Sequence, residues 1–267
     1  MRVKENIEKV KARLKSDYDM LTEKGYDVVG VFLQGSQNYD LDYDGSDIDT
    51  KAIVVPSFSD FVLNKHPVST TYVLPSNEHV DIKDIRLMFE CFKKQNINFL
   101  EILFTRYSYI NPKYDAIWKD MVDNADKIAH YNNYAAVNCI AGMIFEKRAA
   151  LCHRYEGLKD KIDKYGYDSK QLHHIVRCRE FLERYIKGEL YSDCLISRNT
   201  DHLIAIKSDN ALYNCEEACE LADKLVDEAK TIKQDYMDNN PVVIDKDVED
   251  LLNSVLLRTF KVSMGIK

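Results

Sequence analysis

Two hydrophobic patterns follow one another along the chain. Ile7, Val10, Leu14, Tyr18 and Leu21 recur at steps of three and four, which puts them on one stripe of a helix, and Gly25 follows as its stop. Val28 to Leu33 is a short unbroken apolar run, the mark of a buried strand. Residues 47–55 predict a second strand, alternating at first and apolar at Ile53, Val54 and Val55 before Pro56 stops it. Thr70–Leu74 and Glu78–Ile82 predict another extended pair around the turn residues Pro75, Ser76 and Asn77. Asp84 then stands as the N-cap of a helix carrying Ile85, Met88, Phe89 and Phe92.

Beyond Asn111-Pro112 strand signals nearly vanish. Helical stripes run through Ile128, Tyr131, Ala135 and Cys139, and through Leu172, Ile175, Leu182 and Tyr185. Two more follow, through Ala218, Ala222, Leu225, Ala229 and Ile232, and through Val248, Leu251, Leu252, Val255 and Leu256. The polar, irregular stretch 191–211 predicts a long loop. The expected architecture is α+β: a small mixed β-sheet with flanking helices over residues 1–110, then an all-helical region over 111–267.

Composition narrows the function classes. With 267 residues, 45% hydrophobic and 30% charged, the chain suits a globular protein with a full core. No apolar run approaches the ~20 residues of a membrane span. The opening MRVKENIEKVKARLK lacks the features of a signal peptide, so no membrane partner and a cytoplasmic location are expected. Seven cysteines, odd in number, favour reduced thiols. Cys215 and Cys219 are four apart, as helical zinc ligands are, but no second ligand pair lies nearby in sequence and they read as core residues. The net charge of −7 gives no global attraction to nucleic acid; a polynucleotide would need a local basic patch, and a small or short-ended substrate suits the balance better. Nothing in the pattern sets an oligomeric state.

The chemistry-bearing segment runs from Leu33-Gln34-Gly35-Ser36 to Ser46-Asp47-Ile48-Asp49-Thr50-Lys51. A buried strand ends in Gly-Ser, a polar connector follows, and a new strand opens on Asp-x-Asp. Alternation along that strand places Asp47, Asp49 and Lys51 on one side, the carboxylates about 7 Å apart. Such a pair suits two divalent cations that bridge a triphosphate, and oxygen ligands suit magnesium, with manganese as a substitute. Gly35 lets the backbone approach a phosphate, and Ser36 offers both N–H and hydroxyl. Asp81, between Val80 and Ile82, faces away from the side they bury and is the expected third metal ligand.

These residues resemble the nucleotidyltransferase superfamily of DNA polymerase β: Gly-Ser, about ten residues, Ser-Asp-x-Asp, and a later strand Asp. The run Asp81 to Glu101, with Asn96, Leu100 and Glu101, is similar to a branch of predicted nucleotidyltransferases associated with RNA repair. Lys170, His174 and Arg177 look like that branch's helical Lys…His…Arg signature. The resemblance implies transfer of a nucleoside monophosphate from a nucleoside triphosphate to a hydroxyl, with Asp47, Asp49 and Asp81 holding two Mg2+. It also implies that Gly35, Ser36, Lys51, Lys170, His174 and Arg177 contact nucleotide or acceptor, an RNA or tRNA end being the acceptor. The helical region is then expected to close over the nucleotide.

Other readings stay open. The connector acids Asp40, Asp42 and Asp44 suggest a calcium loop, yet counting from Asp40 puts Gly45 at position six and Lys51, not Glu, at twelve. They also depart from the Gly-rich connector of the resembled branch, which leaves the acceptor open between RNA, a protein and a small molecule. Lys51 suits a phosphate or a salt bridge to a neighbouring acid. A solvated helix face accounts for Lys170, His174 and Arg177 as well, and His173 reads as structural or exposed. Ser36 is no covalent nucleophile, because no histidine base shares its segment. A non-catalytic nucleotide-binding module is the remaining alternative.

Overall fold

The computed structural model describes residues 7–42, 46–154, 156–208 and 212–266. The connector residues Asp44 and Gly45 lie outside them. Helix α1 (Ile7–Glu23) leads through Gly25 into strand β1 (Asp27–Gln34), followed by β2 (Asp49–Val55), helix α2 (Phe58–Val62), β3 (Ser69–Val73) and β4 (His79–Asp84). Helices α3 (Ile85–Lys93) and α4 (Ile97–Leu100) precede the short β5 (Ser108–Ile110), which has no clear signal in the apolar pattern. Then come α5 (Asp115–Asp123), α6 (Ala125–Ala129), α7 (Asn133–Ala150), α8 (Lys159–Tyr165) and α9 (Ser169–Ile186). The last four are α10 (Tyr191–Leu195), α11 (Thr200–Ser208), α12 (Cys215–Asn239) and α13 (Lys246–Ser263).

The strands form a mixed five-stranded sheet in the order β3-β4-β2-β1-β5. β2 runs antiparallel to β1 and parallel to β4. On one face Val31, Leu33, Ala52, Val54, Val80 and Ile82 pack with Val10, Leu14 and Leu21 of α1 in one buried cluster. On the other face Phe32 meets Trp118 of α5, ring centroids 4.6 Å apart. Asp84 caps α3 as its sequence position predicts, accepting the Arg86 N–H at 2.9 Å.

Two compact units divide the chain. One runs to Asn132 and resumes at Ile244; the other spans Asn133–Val243. The sheet unit therefore reaches past the expected boundary at residue 110. It does so because α5 supplies Trp118 to the sheet and α13 packs against α5 and α3. The stripe from Ile128 to Cys139 is broken, since α6 ends at Ala129 and α7 starts a new helix at Asn133.

The second unit is helical throughout its described length, with α9 packed against α7, α11 and α12. The expected loop at 191–211 is instead α10 and α11, residues 209–211 lying outside the described part. Tyr191, Cys194, Leu195, Leu203 and Ile206 are buried there, too sparse among polar neighbours to show as a stripe. All seven cysteines are free thiols. No described helix is long and apolar enough to cross a membrane.

Candidate active site

The site is built from the end of β1 outward. Gln34 pairs with Asp49 as the last rung of the β1–β2 ladder. Gly35 then adopts φ 90°, a conformation L side chains rarely take, with open space where a Cβ would stand. Ser36–Tyr39 make one 3-10 turn, fastened from below by Asn38: its amide donates to Leu33 O at 2.8 Å and its Oδ1 accepts from Thr105 Oγ1 at 2.8 Å. Gln37 Nε2 donates to Asp47 O at 2.5 Å, so the turn after Gly-Ser holds the backbone of the first Asp. Asp40 forms a two-pronged ion pair with Arg106 at 2.7 and 2.8 Å, and Asp42 is buried.

Asp47 precedes β2 rather than opening it, and is exposed. Strand alternation accordingly governs Asp49 and Lys51 but not Asp47, whose placement follows from Gln37 and from Ile48, packed into the α1 core. The parallel register sets Lys51 beside Asp81, and Asp49 Oδ1 accepts the His79 N–H at 2.8 Å. Asp49, Lys51 and Asp81 share the sheet face opposite α1, because Thr50, Ala52, Val80 and Ile82 occupy the α1 face. The oxygens of Asp47, Asp49 and Asp81 do not all lie within 4.8 Å of one another. As they stand, the three carboxylates could not all meet one ion.

Lys51 is only 1% exposed. Its Nζ donates to Asn98 O at 2.6 Å, lies 3.9 Å from Asp81 Oδ2 and stands 4.0 Å from the Phe99 ring centroid. Burial pushes its ammonium below the ordinary lysine value, while Glu101 and Asp81 pull it back up. Enclosed in this way, it is engaged with Asp81 and Asn98, the salt-bridge alternative of the sequence reading. Glu101, buried, accepts the Tyr39 hydroxyl and so ties this centre to the turn after Gly35.

An ionic network behind the acids was not read from the sequence. Arg13 Nε contacts both Asp17 oxygens at 2.9 and 2.8 Å, and its Nη1 reaches Glu78 Oε2 at 2.5 Å. Asp17 accepts the Thr50 hydroxyl at 2.6 Å, and Glu78 accepts the Ile48 N–H at 3.0 Å. The network therefore holds the residues on either side of Asp49, Ile48 and Thr50. Its signal was present: Asp17 falls on the buried stripe Val10, Leu14, Leu21, where an acid needs a partner.

In the helical unit, Lys170, His174 and Arg177 share one face of α9. Lys170 is exposed, and His174 and Arg177 are half-buried. Desolvation drives the His174 imidazole well below its ordinary value, with His173, Arg177 and Lys170 adding to the effect. It is therefore neutral near pH 7. His173 is buried, its Nδ1 2.9 Å from Leu203 O, and burial lowers it to about 4. A cleft of about 890 Å³ in the sheet unit, lined in part by Asp27, Val55, Asp60, His66 and Ser263, contains none of the expected site residues.

No family model matches the chain, and no curated protein matches it. Among solved structures it is similar to a nucleotidyltransferase-like protein from Exiguobacterium sibiricum, with a TM-score of 0.32 and 11% identity over 86% of this chain and 75% of that one.

Proposed function

We propose that the sheet unit is a metal-dependent nucleotidyltransferase that moves a nucleoside monophosphate from a nucleoside triphosphate to a hydroxyl. The observation that carries this reading is the shared sheet face of Asp49 and Asp81, beside the open, positive-φ Gly35 at the end of the neighbouring strand. Asp47, Asp49 and Asp81 are the residues that would hold two Mg2+ or Mn2+, an all-oxygen donor set that fits those ions. Bound there, the ions would neutralise triphosphate charge and steady the attacking and leaving oxygens of an in-line displacement. Gly35 and Ser36 offer backbone and hydroxyl to a phosphate across open space. Lys51 and Glu101 act as positioning residues: the buried ammonium fixes Asp81, and Glu101 anchors the turn through Tyr39. Lys170, His174 and Arg177 form a separate candidate surface for phosphate or acceptor, in which neutral His174 offers a hydrogen bond rather than charge.

The acceptor implied by the resemblance is an RNA end. The net charge of −7 favours a second reading, a protein or small-molecule hydroxyl. Incubating the protein with each of four labelled triphosphates, Mg2+ or Mn2+, and a mixed pool of RNA and protein tests both. Metal-dependent labelling is expected, and product size tells RNA from protein or small molecule. No labelled product with any triphosphate and either metal contradicts the proposal.

A further inference from the structure

Three thiols of the helical unit take no part in the site proposed above. Cys152 follows the end of α7, Cys215 begins α12, and Cys219 lies one turn further along it. Cys152 is far from the other two in sequence, yet they converge: Cys152 Sγ is 3.6 Å from Cys219 Sγ, and all three sulfurs lie within 4.8 Å of one another. The reading of Cys215 and Cys219 as core residues is corrected by this geometry. Both are only partly buried and Cys152 is exposed, so the missing ligand comes from a distant helix end. Gly166, the left-handed cap of α8, permits the approach; a Cβ there would come within 2.7 Å of Cys215 Sγ.

We propose that Cys152, Cys215 and Cys219 bind one thiophilic divalent cation, zinc by its chemistry, with a fourth position left to water or an outside ligand. Sulfurs on a tetrahedron with Zn–S bonds of about 2.3 Å stand about 3.8 Å apart, close to the spacing already present. Cys215 and Cys219, four apart on α12, share one helix face, the arrangement in which two ligands can meet one ion. A disulfide would use only two of the three sulfurs and needs them about 2.05 Å apart. Burial and the neighbouring thiols push the Cys152 thiol up to about 12, favouring its protonated form. A cation inverts that preference, each S–H losing its proton as the sulfur–metal bond forms, three protons being released per ion. The nearby Arg148 guanidinium is paired with Asp223 at 2.6 Å.

The test is a cobalt(II) titration of the full chain after reduction and removal of metal by a chelator. The expected result is a thiolate-to-cobalt charge-transfer band that saturates at one equivalent and is abolished by added zinc. Cys152→Ser and Cys219→Ser are expected to weaken binding at least about a hundredfold, while Cys91→Ser leaves it unchanged. Absence of the band in the reduced wild-type chain overturns the proposal, and this arm requires no variant to fold. The same band in a chain lacking all three thiols overturns it too. So does a Cys152–Cys219 disulfide in protein that binds no cobalt once reduced.

Discussion

In the sheet unit Asp17, Lys51 and Glu101 are buried and Arg13 partly so, with opposite charge at hand, Arg13 on Asp17 and Glu78, Lys51 near Asp81 and Glu101. In the helical unit Asp168 on Lys161 and Arg184 on Glu189 repeat that arrangement, but the two histidines of α9, desolvated first of all, face like charge. His173 is lowered by Arg177, Lys207 and Lys170, and His174 by Arg177, Lys170 and Lys147. Burial costs a charge its hydration in both places. A counter-charge lets the buried group stay ionised, whereas the two α9 histidines, facing like charge, stay neutral. The lesson is that burial alone does not set protonation; the charge beside the buried group does.

The largest effect separating the regions is expected in turnover. Asp49→Asn and Asp81→Asn keep shape and hydrogen bonding but remove a metal-binding charge, and should slow labelled-nucleotide transfer by about 10³-fold or more, roughly 4 kcal/mol in barrier. Lys170→Ala should change it no more than about tenfold, chiefly through KM. Equal losses from both would erase the distinction.

Next comes the stability of the buried network. Asp17→Ala leaves Arg13 paired with Glu78 and the Thr50 hydroxyl without its acceptor, and should cost about 1–3 kcal/mol in urea unfolding. Asp17→Asn, which can still accept from Thr50, should cost less. A loss below about 1 kcal/mol in both would mean that the network does not hold β2.

The helical unit should show its neutral imidazoles through pH. His173 is lowered to about 4, so below pH 6.5 the unfolded chain takes up a proton that the folded one refuses. Its stabilising contribution is complete above 6.5, declines as pH falls to about 4, and levels below that, a total of about 3 kcal/mol. His173→Asn retains a donor for Leu203 O and should flatten that part of the profile; an unchanged slope would rule His173 out as its source. The smallest effect belongs to Arg106→Ala. Its ion pair with Asp40 is exposed, so thermal unfolding should report no more than about 1 kcal/mol, and a larger loss would show that exposed pairs here behave like buried ones.

Legibility in the sequence follows the same division. Strand alternation placed Asp49, Lys51 and Asp81 on one face because Val80, Ile82 and Ala52 advertise the other. Asp47 escaped the rule, since β2 starts two residues later and its backbone is held by Gln37. The Arg13–Asp17–Glu78 network and the Lys51–Asp81–Glu101 centre join segments dozens of residues apart, and no local period carries such pairing. α10 and β5 were hidden because they are too short for a pattern, and α11 because Leu203 and Ile206 stand alone among less buried neighbours. Cys152 was invisible as a partner of Cys215 and Cys219, its approach depending on how α7 ends and α8 is capped.

The central claim is that Asp49 and Asp81, beside Gly35, hold metal and triphosphate together. Anomalous diffraction from crystals grown with Mn2+ and a non-hydrolysable nucleoside triphosphate tests it most directly. Manganese peaks are expected within about 2.5 Å of the Asp49 and Asp81 carboxylates, with phosphates against Gly35 and Ser36. Triphosphate and manganese bound elsewhere on the protein, with those carboxylates free of metal, would contradict it.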